Sequence, residues 1–386
     1  MAAPFLAWWP PQVSYGCGMI MNVVIWLRKA DPVWKPVRIG KRNMKYKLPE
    51  DFTASQAGME DLPEIHRLEG KKTLHYLDEQ GITLELLINA YQSPGFEPEK
   101  SVTLIKNQDG ILVALVEVWD EADPPIHPFV WMTVDPEYED LGLEDYLLEW
   151  AEGRAMQAVD RVAPELRVAM RCNPLSLVKS SSQALLRAGF KQIRHGFRMR
   201  IDMEEMPSAP IWPEGIHLKT YNPEEDARLV YEVDEEVFQD HFGFVKEDPE
   251  RGFERFMHHM TGDDSYDPSL WFLASAGEEI AAICLCRRYS FGDYEAGHVS
   301  SLGVKRAWRR QGVAQALLLH AFGEYYRRGK RSVELSVDAA SLTGATDLYY
   351  KVGMYVYRQY DLYEKVIREG NDISVNQLGE NPEGIG

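Results

Sequence analysis

Cysteine is scarce in this chain, and its four residues, Cys17, Cys172, Cys284 and Cys286, form neither a Cys-x-x-Cys pair nor a spacing shared with paired histidines. This excludes a zinc-finger type of metal site and a disulfide framework, and it fits a reducing, cytoplasmic setting. Positive charge is also short: 42 Lys and Arg stand against 60 Asp and Glu, a net charge of −18. A surface of that sign repels phosphate backbones, which sets it against nucleic acid as a partner and leaves it compatible with a small-molecule amine, a cationic one included. A bilayer-spanning helix needs roughly 20 apolar residues. The mostly apolar run Gly18–Leu27 falls short of that and is followed, not preceded, by Arg28 and Lys29, the reverse of a signal peptide. Neither a phosphate loop ending in Gly-Lys-Ser/Thr nor the three-glycine dinucleotide fingerprint occurs in the turn that carries the chemistry below.

At 386 residues, 45% hydrophobic and 26% charged, the chain exceeds one ordinary domain and can bury a sizeable core. Strands are expected at Val102–Ile105, Ile111–Trp119, Phe129–Val134, Leu166–Met170 and Phe197–Ile201, and again at Leu270–Ala274, Ile280–Arg287, Gly297–Val304, Ser332–Val337 and Tyr355–Lys365, with helical periodicity between them. The two sets follow one order. Val134 and Gly142 align with Val304 and Gly312 at a shared offset, and Leu185–Phe190 aligns with Tyr349–Met354, so the chain reads as a tandem duplication. Pro207, Pro210 and Pro213 interrupt the pattern between the halves. The expected organisation is a poorly structured extension over 1–43 with Met44 as the natural start of the fold, a first domain over 44–205, a linker over 206–214, a second domain over 215–368 and a disordered tail over 369–386. The fold class is α/β: two tandem domains, each a mixed, mostly antiparallel sheet flanked by helices.

The most informative stretch is Ser300–Ala314, in which an apolar strand enters an arginine-bearing turn and passes at once into a helix with Leu317, Leu318, Leu319 and Phe322 at helical spacing. The first amides of a helix have no partner within it; with the positive end of the helix dipole and nearby arginines they can surround a pyrophosphate. Arg309, Arg310, Gln311, Gly312, Val313 and Ala314 are therefore expected to hold a phosphorylated cofactor. Arg309, Gly312 and Ala314 fill the pattern Gln/Arg-x-x-Gly-x-Gly/Ala, and Ala345, Leu348, Tyr349 and Gly353 fill Ala-x-x-Leu-Tyr-x-x-x-Gly-Phe, with Met354 in place of the aromatic residue. In this order the two motifs resemble motif A and the closing motif of the GNAT N-acetyltransferases. Asp267–Ala274, Leu317–Gly329 and Val337–Ala339 with Thr343–Ala345 are further similar to the mycothiol synthase group, which is built of tandem GNAT domains with an active C-terminal one. Where that group commonly has Asn-Pro before Thr-Gly-Ala, this chain has Ser341-Leu342.

The resemblance implies an acyl-CoA-dependent N-acyltransferase, in the first instance an N-acetyltransferase using acetyl-CoA as co-substrate, without a metal, in which a primary amine attacks the thioester directly. It puts the oxyanion donor on the backbone around Leu302, Gly303 and Val304. It puts the leaving-group acid at Tyr349, a phenol whose ordinary pKa of about 10 keeps it protonated beside a departing thiolate. The base is left between His298, where many family members carry a glutamate, and Glu295 three residues earlier. The acidic run Asp234, Glu235, Glu236 and Asp240 is similar to the substrate-side helix of the same group and is expected to receive a cationic amine. In the first half, Glu139 and Glu144 stand where Arg309 and Ala314 stand in the second, Asp140 and Asp145 lie alongside, and Leu185 replaces Tyr349. Carboxylates oppose a pyrophosphate, so the first half reads as a degenerate domain. A non-catalytic acyl-CoA sensor or scaffold is the alternative, and it would have no use for Tyr349 or a base. The adjacent His258 and His259, on different sides of a helix, read as surface residues.

Overall fold

The computed structural model describes residues 44–341 and 344–376. The extension over 1–43, Leu342, Thr343 and the end of the tail over 377–386 lie outside the described residues.

In chain order the first half contains β1 (Phe52–Gln56), α1 (Leu62–Leu77), α2 (Leu84–Tyr91), the single turn α3 (Pro98–Ser101), β2 (Val102–Asn107), β3 (Leu112–Trp119), β4 (Phe129–Val134), α4 (Leu143–Val159), β5 (Val168–Cys172), α5 (Lys179–Arg187) and β6 (Lys191–Asp202). The second half repeats the order with β7 (Ile216–Thr220), α6 (Pro223–Phe238), α7 (Pro249–Thr261), β8 (Tyr266–Ala276), β9 (Glu279–Arg287), β10 (Ala296–Val304), α8 (Val313–Arg327), β11 (Ser332–Asp338), α9 (Ala345–Lys351) and β12 (Tyr355–Arg368). Helix starts follow local chemistry. Asn222 accepts from the Glu224 amide ahead of Pro223, and Asp248 accepts from the amides of Glu250 and Arg251 ahead of Pro249. Among the described residues no helix is long and apolar enough to cross a membrane.

Among the described residues all the strands join one mixed sheet in the order β1-β2-β3-β4-β5-β12-β6-β11-β10-β9-β8-β7. Its two parallel pairings are β4 with β5 and β10 with β11. The last strand of each half crosses over: β6 pairs with β11 from Asp202↔Ser332 to Gly196↔Asp338, and β12 pairs with β5 from Tyr363↔Cys172 to Arg368↔Val168. Residues 206–214 thus run between two halves that share one sheet.

Each half packs helices on both faces. Around α8 the core holds Leu317, Leu318, Ala321 and Phe322 with Val333 and Leu335 of β11, while α6 and α7 bury Val230, Val233, Val237 and Phe256 against Leu273, Ile283 and Leu285 on the other face. The halves also meet through α2 and α7, and this corrects the reading of the paired histidines. His259 is buried with its Nε2 3.0 Å from Ser93 Oγ, and His258 Nε2 lies 2.7 Å from the Asn89 carbonyl oxygen. Residues 369–376 likewise depart from the expected disorder. Asn371 exchanges backbone hydrogen bonds with Glu165 and Arg167, and Val375 is buried. Their polar composition hid long-range backbone pairing that local sequence does not encode.

Candidate active site

The site of the second half begins where β10 and β11 part. Their parallel pairing runs only from Ala296↔Ser332 to Val299↔Leu335, and β10 has a register shift against β9 between Val299 and Ser301. Past that point Leu302, Gly303 and Val304 stay paired to β9 alone. Hydrogen bonding alternates along an antiparallel pair. The Lys305 amide donates to the Ala281 carbonyl at 3.0 Å, so the N–H groups of Leu302 and Val304 face the opened edge. Gly303 serves packing: a Cβ there would lie 2.1 Å from Val237 Cγ2, so the glycine lets α6 sit on the strand.

Next comes the turn. After a short 3-10 turn over Arg306–Trp308, Arg310 takes φ 63° and Gly312 takes φ 90°, and α8 starts at Val313. This bend brings the free amides at the helix start together beside the opened edge. A Cβ on Gly312 would meet nothing within 4 Å, so the space over it is clear. Val313 is buried and anchors the helix, while Gln311 donates from Nε2 to the Ala307 carbonyl within the turn. Arg309 does not project toward an anion. Its Nε donates to the Val304 carbonyl at 2.9 Å, its Nη2 to the Val237 carbonyl at 3.3 Å and its Nη1 to Asp240 Oδ2 at 2.6 Å. Arg306 also pairs with Asp240, and these two guanidiniums, Arg306 first, hold that carboxyl below its usual range. Arg309 therefore ties the turn to α6, and Arg310, exposed and without an ion pair among the described residues, is the turn's free cation.

Tyr349 lies on α9 in the core beside Val337, Val352 and Met354, and its hydroxyl makes no hydrogen bond among the described residues. Burial raises its pKa well above that of a free phenol, with a further push from Cys284, the β9 partner of Leu302, so it is a protonated donor. The Ser341 hydroxyl accepts from the Ala345 amide at 3.3 Å, at the place where the sequence departs from Asn-Pro.

Neither expected base stands at the parted strands. His298 is 1% exposed on the paired stretch of β10, its ring is packed on Phe291, and burial followed by Arg198 and Arg287 drives its pKa well below the ordinary value. Glu295 is exposed in the turn ahead of β10, at the end of the strand opposite Leu302 to Val304. The group that does stand there is Asp234 of α6. It accepts from Ser301 Oγ at 2.6 Å, just past the register shift, and burial pushes its pKa up to about 7 against the opposing Ser301 hydrogen bond. The acidic run is thus not one collecting face: Asp240 clamps the turn, and Glu236 pairs with Lys305 at 3.0 Å. One signal for Asp234 was readable, since it sits between Val230, Val233 and Val237 on the inner side of its helix.

The first half keeps the same path with other side chains. β4 and β5 pair only at Phe129↔Arg171, Asp140 takes φ 62° and Gly142 takes φ 81° ahead of α4. Glu144 is 2% exposed, and its Oε1 is buried without a hydrogen-bond partner among the described residues. Burial raises its pKa against the opposing effect of nearby backbone amides, and Glu139 and Asp140 raise it further. Glu139 accepts from Tyr76 at 2.6 Å, Lys72 donates into the opened edge at the Met132 carbonyl (3.1 Å), and Leu185 is fully buried where Tyr349 stands in the other half.

Comparison with known proteins agrees with this arrangement. The model of the Acetyltransferase (GNAT) family matches residues 228–354. The structure of a GCN5-related N-acetyltransferase from Sphaerobacter thermophilus is 33% identical, covers 84% of this chain and 99% of its own, and superposes with a TM-score of 0.70. A tandem GNAT protein from the clavulanic acid biosynthesis pathway, 14% identical, shares the fold over 83% of this chain and 100% of its own with a TM-score of 0.60. Two curated relatives carry the name mycothiol acetyltransferase: that of Streptomyces scabiei is 25% identical over 190 residues (49% of this chain, 58% of the relative), and that of Thermobispora bispora is 29% identical over 177 residues (44% and 57%). The chain therefore spans little more than half the length of these curated relatives. With the parted strands, the turn and both motifs in place, and a relative aligned over nearly its whole length, this chain belongs to the GCN5-related N-acetyltransferase (GNAT) family, in a tandem arrangement.

Proposed function

We propose that the protein transfers an acetyl group from acetyl-CoA to a primary amine by direct attack, using the second half alone. What supports this reading is the start of α8 behind Gly312 beside the strand edge from which the Leu302 and Val304 N–H groups face outward, together with Tyr349, a protonated phenol under the influence of Cys284, the β9 partner of Leu302. Acetyl-CoA supplies the thioester, and its pyrophosphate has a cradle in the amides of Gln311 to Ala314 with Arg310 alongside. Asp234, with a pKa of about 7, takes a proton from the incoming ammonium, directly or through water. The free amine then bonds to the acyl carbon, whose oxygen gains negative charge and is met by the Leu302 and Val304 N–H groups. As the carbonyl re-forms and the carbon–sulfur bond breaks, the thiolate takes the Tyr349 proton; the nitrogen, cationic since it bonded to carbon, gives up its second proton to the Tyr349 phenolate, directly or through water, Asp234 releases its proton to solvent, and the neutral amide and CoA leave. The first half serves as a partner: a buried Glu144 carboxyl at the start of α4 opposes a bound anion, and Leu185 offers no proton.

The test is mass spectrometry of ligand retained through purification, followed by thiol release from acetyl-CoA across a panel of small amines, amino sugars and aminoacyl sugars. Amine-dependent release with one donor site per chain is expected. Donor binding without release on any amine would overturn catalysis, and two equivalent donor sites would overturn the division of labour.

A further inference from the structure

The loop between α6 and α7 joins three parts of the molecule. At its start Asp240 holds Arg309 and Arg306 of the turn. In its middle Phe242 lies under two guanidiniums, Arg194 at 3.9 Å and Arg171 at 5.1 Å, the latter from β5 of the first half. The next residue, Gly243, has φ +84°, and a Cβ there would come within 2.8 Å of Arg171 Nη1, so the loop passes Arg171 at the closest approach a backbone allows.

A strap from the C-terminus closes this loop. Leaving β12, Asn371 donates to the Glu165 carbonyl at 2.7 Å and accepts from the Arg167 amide at 2.8 Å, which fixes the strap on the first half. Four residues later Val375 accepts from the Gly243 amide at 2.8 Å and donates to the Phe244 carbonyl at 3.0 Å, which fixes its other end on the loop of the second half. Ser374 and Val375 are 5% and 3% exposed, so this pairing is shielded from water.

We propose that the segment Asn371–Asn376 is a positioning element for the donor site: by pairing with Gly243 and Phe244 it fixes Asp240, and through Asp240 it fixes the Arg306–Ala314 turn. This assigns the first half a job that needs no ligand of its own, since the strap is anchored on Glu165 and Arg167. The consequence for acetyl-CoA rests on the proposed function; the consequence for the turn does not.

Three forms of the protein decide it: the full chain, a chain ending at Asn376 and a chain ending at Gly370. Native-state trypsin digestion without ligand reads the loop and turn directly through cleavage after Lys246, Arg309 and Arg310. Those cuts are expected to be about tenfold faster in the chain ending at Gly370 than in the other two, with cleavage after Arg327 and Arg328 at the far end of α8 unchanged. Equal rates at the turn in all three forms, or acceleration at both ends of α8 alike, would overturn the proposal. The kinetic counterpart is a rise of about tenfold in the acetyl-CoA KM for the shortest chain, with the amine KM and the melting temperature held. Val375→Asp in the full chain is expected to reproduce the trypsin pattern, and Val375→Ile to retain the wild-type one. If none of the forms binds acetyl-CoA, the functional reading fails by itself and the digestion still decides the strap.

Discussion

The turns Asp135–Glu144 and Lys305–Ala314 are two copies of one backbone carrying opposite chemistry. Asp135 and Lys305 have φ, ψ of −59°, 128° and −57°, 144°; Glu139 and Arg309 have −63°, 157° and −67°, 156°; Gly142 and Gly312 have 81°, 9° and 90°, 1°. Asp140 and Arg310, both non-glycine, share the left-handed conformation at φ 62° and 63°. The comparison separates two requirements that a single copy would confound. Bending a strand into a helix start needs a glycine at a fixed place, and both halves kept it. Holding an anion there needs small or cationic neighbours, and only the second half has them. Where Ala314 presents only a methyl group, Glu144 places a buried carboxyl beside the start of α4, in the region an anion would otherwise take.

The change expected to have the largest effect is the one that should act differently in the two copies. Gly312→Val and Gly142→Val each force a branched residue to positive φ, at about 1–3 kcal/mol, so both should lose similar stability in a denaturant titration. Only Gly312→Val also fills the clear space over the helix amides. It should lower acetyl-CoA affinity by roughly 100-fold or more in calorimetry, while Gly142→Val leaves it unchanged. Equal affinity losses would mean that both cradles bind donor, and no loss in either would remove the turn from the site.

Next in size is the aromatic position. Tyr349→Phe keeps the ring in the core and removes one proton donor, so kcat should fall by roughly 10²- to 10³-fold with the acetyl-CoA dissociation constant within about twofold. Leu185→Met, its counterpart, should change neither. An unaltered kcat in Tyr349→Phe would return the phenol to packing.

The base should show itself in pH. With a carboxyl pKa of about 7 at Asp234, kcat/KM in the wild type should fall as pH drops through that value, because the protonated acid cannot accept from the ammonium. Asp234→Asn should lower the rate at neutral pH and abolish that acidic limb. His298→Ala should retain it, since His298 is neutral across the range. An acidic limb that survives in Asp234→Asn would exclude this carboxylate.

Ten strands and the order of the halves were legible, because buried strands carry apolar runs such as Leu112–Val116 and Ile280–Cys286. β1 and β7 were missed because they are polar edge strands, mostly exposed along Thr53–Gln56 and His217–Leu218, with no apolar face to set a period. The exchange of β6 and β12 was invisible for another reason. A strand's pattern reports that it is buried and says nothing about its partner. The motifs marked the bend at Arg310 and Gly312 and the start of α8, since backbone bends and helix starts are local. They did not show that Arg309 is tied to Asp240, 69 residues away, nor that Asp234, the base proposed above, meets β10, because that contact joins two elements only in the folded chain.

The smallest expected effect concerns the first half and reads stability, not turnover. Burial holds the Glu144 pKa above that of a free carboxyl even with two backbone amides against it, so the folded state binds its proton more tightly than the unfolded chain does. A group shifted in that direction contributes stability that is complete below its unfolded pKa and is lost as pH rises through the folded value. Glu144→Gln keeps the shape and an acceptor for the amides while removing the charge. It should therefore be more stable than the wild type at pH 7, by about 1 kcal/mol, and no more stable at pH 3.5, where the wild-type residue is already neutral. Thermal melts at the two pH values measure this, with acetyl-CoA turnover expected to be unchanged at neutral pH. A Glu144→Gln protein less stable than the wild type at pH 7 would mean that the ionised carboxylate is a favourable cap on α4, and that the first half has traded its bound anion for a built-in one.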